Sequence, residues 1–223
     1  MSRQMPGLAS RFRAYVAGAL DLVYMGQRLR VDPVIGKRVR SELTPHRESV
    51  LYEMAYLRVF NAWEILLEEC FLRYLCGYEF MGAAERPACA YASNLAAAKT
   101  AVYRQQQYLL WHNPSKTISR ANTHFLPNNR IAMVIGSALT DIDDYAAVRH
   151  RIAHDHLDAR QKFDTATMRL TARRFPGGRP GAFLKYATTS GTIPVCWLER
   201  ICTVRRTAAL TSSGTGLPAW GRA

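Results

Sequence analysis

An arginine and a histidine stand five residues apart in the segment Val-Arg-His-Arg-Ile-Ala-His at positions 148–154. A His side chain titrates near neutral pH, so it can accept or return a proton. An Arg side chain stays charged and presents a planar set of donors that suits phosphate oxygens. Arg149 and His154 could therefore supply acid–base catalysis and charge stabilisation at a phosphodiester without a metal.

This segment resembles the short motif of HEPN ribonucleases. In that motif an Arg is followed by a polar residue (usually Asn, Asp or His) and, a few residues later, by a His. Here His150 is the polar residue, and Ile152-Ala153 stand before His154 as in the form Arg-Asn-x-Ile-Ala-His of many members. The resemblance identifies Arg149 and His154 as the expected catalytic pair.

Two other Arg/His pairs have a similar spacing, Arg40 with His46 and Arg151 with His156. Spacing alone is weak evidence in a chain so rich in arginine. Neither Arg40 nor Arg151 is followed by Asn, Asp or His, and neither pair has Ile-Ala before its histidine. We therefore rank the pair at positions 149 and 154 first.

Further segments are similar to the same family, and most of all to its RiboL-PSP subgroup. They are Leu-Arg-Val-Phe-Asn-Ala-Trp-Glu at 57–64, Tyr-Leu-Leu-Trp at 108–111 and Arg-Arg-Phe-Pro-Gly at 173–177. The resemblance covers roughly residues 45–205. It implies an all-α fold: a HEPN-like bundle of four to five core helices.

The resemblance implies a metal-independent endoribonuclease with no cofactor. The ribose 2′-hydroxyl would attack the phosphorus, leaving a 2′,3′-cyclic phosphate and a free 5′-hydroxyl, so DNA should be inert. We expect His150, His156 and Glu64 to support the site and Arg151, Arg173 and Arg174 to bind RNA. Such proteins often serve as toxins or in antiviral (phage) defence, so a cognate antitoxin or defence partner is expected by analogy.

Helix geometry imposes a condition on the pair. Five residues of an ideal helix turn about 500°, which leaves Arg149 and His154 roughly 140° apart. The family's solution, which the resemblance implies here, is a homodimer whose two motif helices share the site. His156 is a competing partner, because seven residues return it to within about 20° of Arg149.

Other interpretations of the same residues remain open. Arg149 and His154 could pair with Asp155 and Asp158, and His150, His154 and His156 could bind zinc. No Glu completes an H-E-x-x-H pattern, so we expect no metal. Glu64 could orient the site or lie on a solvated helix face, whereas Phe60, Trp63 and Phe71 are expected in the core.

Two other function classes stand beside the nuclease. The first is a non-catalytic HEPN module that binds RNA or nucleotide or acts as an assembly adaptor, which would have no need to retain both Arg149 and His154. The second is a basic helical DNA-binding protein, for which we find no helix-turn-helix pattern.

Local signals predict the elements that carry the motif. Apolar residues recur at helical spacing over 8–30, and Asp32-Pro33 ends that segment. Thr44 as N-cap with Pro45 at the first helical position predicts a long helix up to Gly77. Residues 90–111 and 130–139 are predicted helices, and 113–129 an irregular connection or a short helical piece. Thr140 is predicted to cap the motif helix, with acids in its first turn.

The chain divides by composition into three parts. Residues 1–40 are expected to form an N-terminal helical arm, residues 41–175 the HEPN-like core, and residues 176–223 a basic C-terminal extension. That extension should contain one helix, about 194–209, and a mobile tail over 211–223. No pair of strands is expected anywhere.

Charge distribution favours a polyanionic partner. The chain of 223 residues has a net charge of +13, with +5 in residues 1–50, −1 in 51–159 and +9 in 160–223. Basic flanks suit RNA, because Arg and Lys on phosphates release condensed counterions. The five cysteines show no C-x-x-C spacing and are read as small apolar residues in a reducing compartment. With no stretch of membrane-spanning length or convincing leader, we expect a cytoplasmic protein with no membrane partner.

Overall fold

A computed structural model describes residues 3–80, 83–190 and 193–202. These residues are mostly helical, in agreement with the expected all-α class. Nine α-helices have both ends within them: α1 Leu8–Val31, α2 Gly36–Glu42, α3 Pro45–Leu75, α4 Leu95–Tyr103, α5 Pro114–His124, α6 Arg130–Ser137, α7 Leu139–Ala153, α8 Leu157–Thr171 and α9 Pro180–Lys185. Residues 197–202 are also helical.

Local capping chemistry explains the long helix α3. The Thr44 hydroxyl accepts from the backbone N–H of Arg47, and Pro45 occupies the first helical position, as predicted. The helix ends at Leu75, and Gly77 follows with φ of +74°. A glycine reaches that left-handed conformation without the penalty that a Cβ would bring.

The middle of the chain departs from its predicted helix boundaries. The helix expected over 90–111 is confined to α4, which Asn94 caps at its start and which ends before Arg104 at φ of +52°. The segment 113–129, read as irregular or partly helical, contains α5. Asn113 caps α5 by accepting from the N–H of Lys116. Asn113, in a segment predicted to be an irregular connection or a short helical piece, therefore marks the start of a helix.

Two further helix starts differ from the prediction. Thr140 does not cap the motif helix, because α7 already begins at Leu139, although Asp141 stands in its first turn as predicted. In the range of about 194–209 where a helix is expected, residues 193–196 form a strand and helical residues begin at 197. The part of that range after residue 202 and the tail expected over 211–223 lie outside the described residues.

Short strands are present where no strand pair was expected. Strand β1 Arg3–Gln4 pairs in parallel with β2 Tyr78–Phe80, which pairs antiparallel with β3 Ala83–Ala84. Strands β4 Ala187–Ser190 and β5 Ile193–Cys196 form an antiparallel pair, with Ala187 opposite Cys196.

The apolar side chains form two buried clusters on the long helix α3. The first joins α1, the first half of α3, α7, α8, α9 and residues 197–202, so the N-terminal helix packs into the main core. The second joins the end of α3 to α4, α5 and α6. Trp63 packs against both, while Phe60 and Phe71 are fully buried as expected.

Helix α7 is held from two sides. Its buried Asp144 accepts from the guanidinium of Arg169 in α8, with Nε 3.0 Å from Oδ1. On the other side the Tyr56 hydroxyl of α3 donates to the Tyr145 carbonyl at 2.6 Å. These contacts fix the helix that carries the motif. No helix among the described residues is long and apolar enough to cross a membrane.

Candidate functional site

The motif lies where α7 ends. The N–H of His154 donates to the carbonyl of His150 at 2.9 Å, and His154 itself has an extended backbone with φ of −140°. Because His154 stands just beyond the last helical residue, its direction is not fixed by helical spacing from Arg149. Its side chain is exposed.

Three histidines gather at this end of α7. The ring centroids of His150 and His154 are 4.7 Å apart, those of His150 and His156 are 5.2 Å apart, and those of His154 and His156 are 5.7 Å apart. His156 also starts α8, because its Nδ1 accepts from the N–H of Ala159 at 3.1 Å. We call His150, His154 and His156 the histidine cluster.

The electrostatics of the cluster favour a neutral His150. Burial lowers the pKa of His150 below its ordinary value, and the neighbouring His154, His156 and Lys162 lower it further. Asp158 acts weakly in the opposite sense. A neutral imidazole at pH 7 can accept a proton from a substrate.

Arg149 faces a different environment. It is half-buried, and its Nε is buried with no hydrogen-bond partner among the described residues. Burial and the charge of Glu64 raise the pKa of Tyr108, whereas the charge of Arg149 lowers it. Arg149 and Glu64 thus both act on Tyr108. Within the described part of one chain, no hydrogen bond, ion pair or ring contact joins Arg149 to His154.

Glu64 lies beside His112, a histidine that the sequence predicts to be at the surface. Its Oε1 is 3.1 Å from Nδ1 of His112, and both side chains are largely buried. Neither atom has a hydrogen-bond partner elsewhere in the described residues. Glu64, which was expected to orient Arg149 or His154, therefore forms an ion pair with His112 when the His112 imidazole is protonated.

The acids next to the motif are paired with other cations. Asp155 accepts from Nη1 of Arg151 at 2.6 Å, and Asp158 lies 2.8 Å from Nζ of Lys162. The alternative in which these two carboxylates pair with Arg149 or His154 has no such contact in the described residues.

The three arginines expected to bind RNA differ in their surroundings. Arg151 is only 12% exposed and donates to the carbonyls of Gly178 and His154, each at 3.0 Å. Arg173 is exposed and stacks on the ring of Tyr186, with Cζ 5.0 Å from the centroid. Arg174 is exposed. Arg173 and Arg174 can therefore reach a phosphate, whereas Arg151 is engaged with the protein's own backbone.

One group of side chains could hold a metal ion. Ligand atoms of His150, His156 and Asp158 all lie within 4.8 Å of one another. A metal there would compete with two existing interactions, because His156 caps α8 and Asp158 pairs with Lys162. His and carboxylate ligands in this arrangement suit a borderline cation such as Zn²⁺.

Sequence reasoning missed His112 and Tyr108 as neighbours of the site. Near a predicted turn, His112 is expected at the surface, whereas its side chain is largely buried, and Tyr108 lies in the segment 108–111 that is similar to the family. Neither has a fixed spacing from Glu64 or Arg149, so no local pattern could have linked them.

Comparison with protein-family models, with curated proteins and with solved structures finds no match to this chain.

Proposed function

We propose that this protein is a metal-independent endoribonuclease of the HEPN type that acts as a homodimer in the cytoplasm. Arg149 stabilises the charge that develops on the phosphate, and His154 transfers the proton. The 2′-hydroxyl attacks the phosphorus, and the 5′-oxygen leaves with a proton. A role as a toxin or a phage-defence effector, restrained by a cognate partner, follows from the resemblance.

The observation that carries the proposal is the buried Nε of Arg149, which has no acceptor among the described residues. The acids nearest to the motif in sequence, Asp155 and Asp158, pair with Arg151 and Lys162 instead. A buried donor without a partner is costly, at about 1–3 kcal/mol, so a structural arginine would normally be satisfied. A phosphate oxygen would supply the missing acceptor.

The exposure of His154 supports its catalytic role. It projects beyond the end of α7 next to His150, whose lowered pKa favours a neutral ring. Cleavage needs one group to accept the 2′-hydroxyl proton and another to return a proton to the 5′-oxygen. Two neighbouring imidazoles, His150 and His154, could divide these two roles.

A dimer would complete the site. Arg149 acts on Tyr108, whereas the ring of His154 lies beside those of His150 and His156, and the carbonyl of His154 accepts from Arg151. Two-fold pairing of the α7 ends would place Arg149 of one protomer near His154 of the other.

The direct test compares purified proteins on structured RNA in the presence of EDTA. We expect wild type to cleave, and His154→Ala and Arg149→Ala to lose about 10²–10⁴-fold in rate. The matched controls are His46→Ala and Arg58→Ala, which remove exposed side chains on α3 and should cleave normally.

Other outcomes would count against the proposal. Retained RNA binding without cleavage by wild type would indicate a non-catalytic module. Cleavage that appears only after a divalent cation is added would indicate a metal-dependent nuclease. Equal loss in the two control variants would show that the assay reports on folding rather than on the site.

A further inference from the structure

A cavity of about 520 Å³ lies between the end of α4, the segment 104–110 and one face of α5. Pockets that bind small molecules have volumes of about 300–1,000 Å³, so a nucleotide would fit this one.

The cavity is lined by cations. Helix α5 contributes the cations Lys116 and Arg120 together with Ser119, Thr123 and His124, and burial lowers the pKa of His124, which favours a neutral ring. These positions are spaced by three or four residues, so they share one face of the helix. Arg104 stands opposite, and no carboxylate is found among the described residues that line the cavity.

Arg120 has an unsatisfied donor. Its Cζ lies 4.5 Å from the centroid of the Trp111 ring, and its Nη1 is buried with no hydrogen-bond partner among the described residues. Burial lowers the pKa of Arg120, and the charge of Tyr103 opposes that shift. A bound anion would both satisfy the donor and offset the desolvation.

One acid approaches the cavity without lining it. Glu68 accepts a hydrogen bond from Tyr103, and its Oε1 lies 3.8 Å from Nζ of Lys99. Lys99 also lies over the Tyr103 ring, 5.1 Å from its centroid. Lys99 therefore balances the negative charge of Glu68, and the positive charges of Arg104, Lys116 and Arg120 remain available to a ligand.

We propose that this cavity binds the phosphate monoester of a nucleotide, either a free mononucleotide or the terminal nucleotide of an RNA. A phosphate monoester carries about −1.5 to −2 charges at pH 7, whereas an internal diester carries only one. Three cations without a carboxylate match the monoester better. The hydroxyl of Ser119 adds a donor for its oxygens, whereas the hydroxyl of Thr123 already donates to the Ser119 carbonyl at 2.9 Å.

An aromatic ring stands at the same cavity to receive the base. Tyr108 lines the cavity and is 57% exposed, so its face is accessible. Stacking of a base on an aromatic side chain is tolerant of base identity and contributes about 1–3 kcal/mol. The site should therefore recognise the phosphate strongly and the base weakly.

Tyr108, which lines the cavity, also lies within electrostatic range of Arg149 and Glu64 of the proposed nuclease site. Phosphate binding does not depend on cleavage, however. The test is therefore made in the His154→Ala background, where a failure of the nuclease proposal cannot be confused with a failure of this one.

Binding of 5′-AMP and of adenosine is measured by isothermal titration calorimetry. The same measurement is made with a short single-stranded RNA bearing a 5′-phosphate, a 3′-phosphate or no terminal phosphate. Variants Lys116→Glu and Arg104→Gly remove cations at exposed positions, and glycine suits the positive φ of residue 104. Lys37→Glu on α2 is the matched charge reversal away from the cavity.

We expect the phosphorylated ligand to bind at least about tenfold more tightly than its unphosphorylated counterpart. Lys116→Glu and Arg104→Gly should abolish that preference, and Lys37→Glu should keep it. Preference for 5′-AMP over adenosine identifies a free nucleotide as sufficient, and preference only among the RNAs identifies an RNA end. The proposal is overturned if no phosphorylated ligand binds more tightly than its unphosphorylated counterpart. It is also overturned if Lys116→Glu weakens the binding of all RNAs equally, with or without a terminal phosphate.

Discussion

Arg151 holds the carboxylate of Asp155 at 2.6 Å and the carbonyl of His154 at 3.0 Å through the same nitrogen, Nη1. Its Nε donates to the carbonyl of Gly178, which lies in the turn before α9. One guanidinium therefore fixes the segment between α7 and α8 from which His154 projects. From the sequence we expect Arg151 to bind RNA; in the structure its guanidinium contacts the protein itself, in an arrangement suited to positioning His154.

We predict that Arg151→Ala lowers kcat for RNA cleavage by about 10–100-fold with little change in KM. The reason is that a displaced catalytic group costs rate even when substrate binding is intact. Steady-state kinetics on one RNA substrate would measure both constants.

The matched variant is Arg174→Ala, which removes an exposed arginine. It should raise KM with kcat nearly unchanged, because loss of a phosphate contact weakens binding of substrate and transition state alike. If Arg151→Ala also raised KM alone, the RNA-binding role first expected for it would be restored.

Local chemistry explains why part of this structure was predictable. Thr44 and Pro45 mark the start of α3, where the Thr44 side chain accepts from the N–H three residues later. Asn94 and Asn113 cap α4 and α5 in the same way. The strands β4 and β5 were not predicted, because each has only four residues and the apolar spacing of the surrounding chain is helical.

The candidate site was only partly predictable for a different reason. The three members of the histidine cluster are neighbours in sequence, so the end of α7 brings them together directly. The contact between Glu64 and His112 depends on how α3 packs against a distant loop. Such contacts are set by tertiary packing, and no periodicity in the sequence records them.

A mixing experiment tests whether the proposed site is shared between protomers. If each site uses Arg149 of one protomer and His154 of the other, a heterodimer of Arg149→Ala and His154→Ala keeps one complete site. Random pairing of equal amounts should then restore about a quarter of the wild-type activity.

The mixture is prepared by co-expression and assayed against each inactive homodimer. His154→Ala mixed with His154→Asn is the control, since no pairing of these chains regenerates a complete site. Absence of restored activity in the first mixture, with heterodimers verified by mass spectrometry, would place both residues of a working site in one chain.

Stability should fall as the pH is lowered through the histidine range. Burial and nearby positive charge lower the pKa values of His124 and His150 below their ordinary value of 6.5. The unfolded chain then binds more protons than the folded one just below that pH, so the free energy of unfolding decreases on acidification. Urea denaturation at about pH 7.5 and about pH 5.5 measures the difference.

His124→Gln isolates one contribution, because His124 faces the charges of Arg104 and Arg120. The change in stability between the two pH values should be smaller in this variant than in wild type. His46→Gln, at an exposed position, should retain the full change. A wild-type protein that becomes more stable on acidification would contradict the prediction.

Zinc should inhibit rather than activate cleavage. The ligand atoms of His150, His156 and Asp158 lie close enough to take a metal, which would hold two members of the histidine cluster beside His154. We expect EDTA to leave the rate unchanged and added Zn²⁺ to reduce it reversibly, as followed with a fluorogenic RNA.

The variant His156→Asn separates metal binding from folding. Asparagine is a favoured N-cap, so it can replace the cap that His156 provides for α8 while removing one ligand. Inhibition by Zn²⁺ should weaken markedly in this variant. Full inhibition in His156→Asn would show that the metal acts elsewhere.

The pair that joins α7 to α8 gives a test of the fold itself. Asp144 is 2% exposed and Arg169 is 53% exposed, so removing the arginine leaves a buried carboxylate without its partner. Burial already raises the pKa of Asp144, and Arg169 opposes that rise. We predict that Arg169→Ala lowers the free energy of unfolding by about 2–3 kcal/mol, after allowance for the exposure of the arginine.

The matched variant is Lys162→Ala, which breaks the pair with Asp158 on the surface of the same helix α8. Both members of that pair are more than half exposed, so its loss should cost only about 0–1 kcal/mol. Urea denaturation of the three proteins measures both values. Equal effects of the two variants would mean that the buried carboxylate of Asp144 is satisfied without Arg169, and that α7 owes its position to apolar packing alone.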